Sequence, residues 1–230
     1  MKLKTFAAAA VLLTTAVPAA AQVTTYTNQG TFAGASGPLT TETFSGCPGT
    51  TTNFSGNVSS SAGPCSGIVG GVTYSPQEGS LYIAGPGQSS NPTTALGMNL
   101  FTGDPITITF DNAISAWGAD LFQNFGGGSQ SGADAAFVVA LFGAGDVLID
   151  TLNTTVASGG GSFFGFTSTT PFVRVDVSQP SGFAVVDNVQ WSAAAGVPEP
   201  GTWAMMLLGF GAIGFALRRR NAARTVTQIA

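Results

Sequence analysis

The residues able to do chemistry are few in this chain, and the missing ones narrow the choice first. There is no histidine, which excludes Ser-His-Asp and Cys-His catalysis, His-ligated zinc and imidazole acid–base chemistry. Carboxylates remain. Between residues 22 and 196 one base, Arg174, stands against ten acids, leaving that stretch at −9. Such a surface repels phosphate backbones, so nucleic acid is not expected as a partner, and it suits divalent cations or neutral sugars. A glycosidase needs two carboxylates at a set separation. No pair here is marked out by its spacing, so neither a catalytic centre nor a cofactor is expected.

Three constellations call for a specific reading. Cys47 and Cys65 are the only cysteines. In an exported chain they meet an oxidising compartment and can form one intramolecular disulfide, worth on the order of 3 kcal/mol. Residues 183–191 read as a strand in which Phe183, Val185, Asp187, Val189 and Trp191 share one parity, so Asp187 points with apolar side chains. A buried carboxylate must be compensated. Backbone N–H groups, an ion pair with Arg174 and a structural Ca²⁺ site at Asp187 are the three solutions open to it. The third constellation, residues 209–214, spells GxGxxG, but it lies inside an apolar run with no strand before it. Its glycines suit close helix packing in a membrane rather than a dinucleotide.

The elements that must position these residues are strands. Only 8% of residues are charged, Gly is abundant, and Thr, Val and Phe recur, a composition that favours strands and turns. Short, weak β signals lie at residues 23–26, 40–44 and 72–83. Stronger ones follow: 106–110, where Ile and Phe alternate with Thr; 113–122, with Gly118 as a bulge or kink; 135–142, uniformly apolar and so a central strand; 147–152, joined to it by a turn at 143–146; then 162–167, 172–177 and 183–191. Gly-rich breaks separate them at 124–132 and 159–161. Regular short strands predict an all-β fold, a β-sandwich of jelly-roll type over residues 22–196. Thr occurs without a regular Thr-x-Thr repeat, so strand Thr needs no ice-binding explanation.

Six of the seven bases lie in the terminal segments. Residues 1–21 read as a signal peptide: Lys2 and Lys4, an apolar run at 6–17, then Ala19, Ala20 and Ala21, with Gln22 as the mature terminus. A buried N-terminal helix is the alternative. At the other end Val197-Pro198-Glu199-Pro200-Gly201-Thr202-Trp203 precedes an apolar run, 204–217, and then Arg218, Arg219 and Arg220. The prolines keep the backbone extended and open to an enzyme. A helix over the apolar run would be about 21 Å long, marginal against a hydrocarbon core of about 30 Å, which suits a temporary stop-transfer. The arginines would hold its end in the cytoplasm, with 221–230 as a cytoplasmic tail.

The segment VPEPGTWAMMLLGFGAIGFALRRR, residues 197–220, closely resembles the PEP-CTERM sorting signal of exopolysaccharide-producing Gram-negative bacteria, a signal also labelled the ice-binding protein C-terminal domain. The resemblance implies recognition by exosortase, a membrane-embedded transpeptidase, processing near Pro198-Glu199-Pro200, and delivery to the cell surface or matrix. The ten residues after the arginines depart from the usual pattern. The segments FDNAISAWGADLF and FAVVDNVQW are similar to stretches of PEP-CTERM ectodomains and, more loosely, of jelly-roll carbohydrate-binding modules. The expectation is therefore an exported, non-catalytic surface or extracellular-matrix protein that passes through a membrane-anchored precursor, is handled by signal peptidase and exosortase, and binds exopolysaccharide. A secreted carbohydrate-active hydrolase is the alternative.

Overall fold

The computed structural model describes residues 21–49, 52–99, 103–124, 133–194, 205–214 and 217. Contacts divide the chain into two units, Met1–Ser192 and Ala193–Ala230. The first is an antiparallel all-β body. Its strands are β1 (Val23–Tyr26), β2 (Thr40–Glu42), β3 (Thr52–Phe54), β4 (Val58–Ser59), β5 (Val72–Pro76), β6 (Ser80–Ala84), β7 (Ala95–Asn99), β8 (Ile106–Asn124), β9 (Ala135–Phe142), β10 (Leu148–Val156), β11 (Gly161–Ser178) and β12 (Phe183–Ala193). They hydrogen-bond as one continuous network, β10-β9-β11-β8-β12-β7-β6-β3, with β1 on β11, β2 on β12, β5 on β8 and β4 on β5.

Two long strands organise this network. The sequence predicts separate strands at 106–110 and 113–122, and again at 162–167 and 172–177; each pair is one strand, β8 and β11. Their mutual register shifts between Thr167 and Phe172 and again before Arg174. Those irregularities let each strand continue where sequence patterning suggests a stop. Gly118 is no bulge, since it sits opposite Gly165 in regular register. A Cβ there would lie 2.7 Å from the Phe163 ring, so close packing, not a kink, requires glycine.

Strand β9 is apolar throughout yet alternates between buried and more exposed residues. Phe137, Val139 and Leu141 enter the core, while Ala136, Val138, Ala140 and Phe142 face outward. It pairs with β10 across the expected hairpin, closed by the Gly143 N–H to the Val147 carbonyl at 2.9 Å. The core itself runs from Phe44 and Tyr74 through Trp117, Phe137, Phe166 and Phe172 to Val186 and Val189. At about 25 cal/mol per Å² of buried apolar surface, these large side chains dominate the stabilisation.

Several elements escape the sequence patterns. Strands β3, β4 and β7 are three. Another is helix α1 (Gln29–Ser36), started by Asn28, whose side-chain oxygen accepts from the Thr31 N–H at 3.1 Å. This N-cap satisfies a donor that the first turn leaves free. The helix buries Phe32 against Tyr26 and Phe163.

In the second unit, residues 205–214 and 217 are helical and exposed. Among the described residues no helix is long and apolar enough to cross a membrane.

Candidate functional site

The one acid singled out by the sequence, Asp187, sits where β12 changes partners. Before it, Val185 and Val186 pair with Gly97 and Leu96 of β7. After it, Val189, Gln190 and Trp191 pair with Glu42, Thr41 and Thr40 of β2. Between them Asn188 takes a positive φ of 48°, a conformation that Asn tolerates better than most residues. This break corrects the parity expected from sequence. The main core takes Ala184 and Val186 before it, but Val189 and Trp191 after it. Val185 packs in a separate cluster with Tyr82, Ala84, Ala95 and Phe122. Asp187 therefore does not share a face with Val189 and Trp191, although it is fully buried.

Its compensation is hydrogen bonding. Oδ1 accepts the Asn188 backbone N–H at 2.7 Å, and Oδ2 accepts the Thr93 hydroxyl. Thr93 belongs to the loop before β7, which Asn91 ties down by donating its side-chain amide to the carbonyls of Ala84, Gly85 and Thr93. The Asn188 side-chain amide donates to Asp120 Oδ2 at 2.8 Å. Burial pushes the Asp187 carboxyl up to about 6; the Thr93 and Asn188 hydrogen bonds pull the other way, and the charges of Asp120 and Glu42 add to the rise.

The ion pair with Arg174, one of the three solutions open to Asp187, is not formed. Arg174 bonds Asp146 at 2.5 Å, lies 3.4 Å from Asp176, and stacks 3.7 Å over the Phe142 ring. Ca²⁺ takes six to eight oxygen ligands. Both Asp187 oxygens and one of Asp120 are already engaged by hydrogen donors, and among the described residues no group of three acids or cysteines converges.

Glu42, which the sequence reading passed over, is the second buried carboxylate. It accepts the Phe44 N–H at 2.6 Å and the Val69 N–H at 2.7 Å, joining the start of the chain to the segment beyond the cysteines. Its signal was faint: a lone acid in a run of threonines. The sulfurs of Cys47 and Cys65 are bonded to each other. Beside them the chains touch so closely that a Cβ on Gly46 would lie 1.5 Å from the Ser66 carbonyl oxygen.

Above Asp187 lies an open cleft of about 510 Å³, lined by Thr43, Ser45, Pro86, Pro92, Thr93, Thr94 and Asn188. It offers hydroxyl and amide groups and proline rings. The Asp187 carboxylate lies beneath Thr93, so the cleft presents polar contacts rather than an acid–base pair. The sorting residues Pro198, Glu199, Pro200, Trp203, Arg218, Arg219 and Arg220 lie outside the described residues, as do residues 1–20 of the signal segment and residues 125–132 of the Gly-rich break.

The family model of the PEP-CTERM protein-sorting motif matches residues 196–220. No curated protein matches the chain. Among solved structures, an arabinose-bound GH51 α-L-arabinofuranosidase aligns over 51% of this chain and 23% of its own, with 12% identity and a TM-score of 0.35. The CBM22-1-GH10 modules of a Clostridium thermocellum endo-1,4-β-D-xylanase, complexed with xylohexaose, align over 69% of this chain and 28% of their own, with 10% identity and a TM-score of 0.36. The chain thus spans about a quarter of either structure, and neither likeness bears on what it binds or does.

Proposed function

We propose that this chain, which carries a PEP-CTERM protein-sorting motif at residues 196–220, is an exported surface or extracellular-matrix protein processed by exosortase, with a non-catalytic β body that binds polysaccharide. The motif carries the reading. Its proline pair offers an extended substrate. The apolar run at 204–217 and Arg218–Arg220 suit a stop-transfer segment that holds a membrane-anchored precursor for the enzyme. The body is consistent with export at two points. A Cys47–Cys65 bond belongs in an oxidising compartment. Gln22 is also anchored, its N–H and carbonyl meeting the Thr169 hydroxyl and N–H at 3.0 and 3.1 Å, so a chain cut by signal peptidase after Ala21 keeps this pairing.

The architecture we favour is a jelly-roll sandwich, the network closing over its core through the irregular centres of β8 and β11. A non-catalytic body is favoured because Asp187, the acid most perturbed beside a cleft, has both oxygens committed to internal donors. Deleting the host exosortase tests the reading: precursor retaining residues 201–230 should build up in the membrane fraction. Surface delivery unchanged by the deletion would refute it.

A further inference from the structure

The register of the sheet lines up a second surface. In the strand sequence β10-β9-β11-β8-β5-β4, residues paired across the sheet on the side away from the core form straight rows. One row runs Thr151, Ala140, Asp176, Thr107, Ser75. The next runs Phe142, Arg174, Thr109, Thr73, Ser59. With neighbouring strands about 4.8 Å apart, the face is about 24 Å wide. Thr109 and Thr151 are exposed and the rest half-buried.

Its chemistry selects its occupant. The face presents mainly hydroxyl groups, short side chains and one stacked Arg174–Phe142 pair. Its single cation is already held by Asp146 and Asp176, in a body of charge −9, so polyanions are repelled. It lacks the projecting aromatic anchors on which protein interfaces depend; the large exposed apolar side chains of the described body, Val147 and Leu148, sit at its border. Hydroxyl donors and acceptors in rows, spaced at about the length of one sugar ring, match a neutral polyhydroxylated chain.

We propose that this face binds an uncharged polysaccharide laid across the strands, one sugar per strand. The inference rests on the polysaccharide-binding reading above and gives it a surface, distinct from the cleft at Thr93. The test is affinity electrophoresis of the full chain, disulfide intact and in non-ionic detergent, through gels containing dextran, hydroxyethyl cellulose or the polyanion alginate. Retardation by at least one neutral polymer and none by alginate is expected. Thr109→Glu and Thr151→Glu should weaken it about fivefold or more, roughly 1 kcal/mol by the affinity scale, while Ala33→Glu on the exposed side of α1 carries the same charge and leaves it unchanged. No retardation by either neutral polymer, retardation by alginate, full binding by both face variants, or equal loss in Ala33→Glu would each overturn the proposal. Purified chain is used throughout, so a failure here is separable from a failure of exosortase processing, which the precursor reports.

Discussion

The β body and the C-terminal segment encode their roles in opposite ways. The body depends on residues far apart in the chain: Glu42 with Val69, Thr93 with Asp187, Asp120 with Asn188. The segment carries a proline pair, an apolar run and three arginines in a fixed order over 25 residues. An enzyme and a membrane read such a segment linearly. What a body binds must be read from its folded surface. Substitutions in one region should therefore leave the readout of the other untouched.

The sharpest separation is expected in the segment. Replacing Pro198 and Pro200 together with Ala should abolish processing almost completely, while shifting body stability by no more than about 0.5 kcal/mol. Precursor accumulation on immunoblots, beside thermal melts of the purified chain, measures both. A large fall in melting temperature would show that the segment also supports the fold.

In the body, the largest effect should come from Phe137→Ala. This side chain is fully buried on β9, and its loss should cost about 3–5 kcal/mol in denaturant unfolding. Next, replacing Cys47 and Cys65 together with Ser should cost about 3 kcal/mol by freeing the loop between them in the unfolded chain. Neither change alters the sorting motif, so any folded fraction should still be processed.

The smallest effect is a pH dependence. Asp187 titrates near 3.8 when unperturbed and near 6 in the fold. Its contribution is fully present below about pH 4 and is lost as pH rises through about 6, so acid should stabilise the body relative to neutrality. Asp176, raised mainly by burial, adds in the same direction. Asp187→Asn should flatten the melting temperature between pH 4 and pH 7. A variant with the wild-type slope would assign that slope to other acids.

How much could be read from the sequence follows from the same contrast. The all-β class and the hairpin at 143–146 were legible because alternation and glycine turns are local. The cysteine pair was legible because it had only one possible partner. The course of β8 and β11 was not, since their continuity rests on register shifts that leave no compositional mark. Asp187 was correctly marked as needing compensation, but its face was misread, because a single Asn188 at positive φ reverses parity. Helix α1 hid behind a Gly-rich stretch with only the Asn28 cap to announce it.

The most direct test of the account is intact-mass analysis of the protein recovered from the cell surface. Processing predicts a C-terminus within or next to Pro198-Glu199-Pro200, with the helical residues 205–214 and the tail to Ala230 absent. Surface protein that still ends at Ala230 would contradict it.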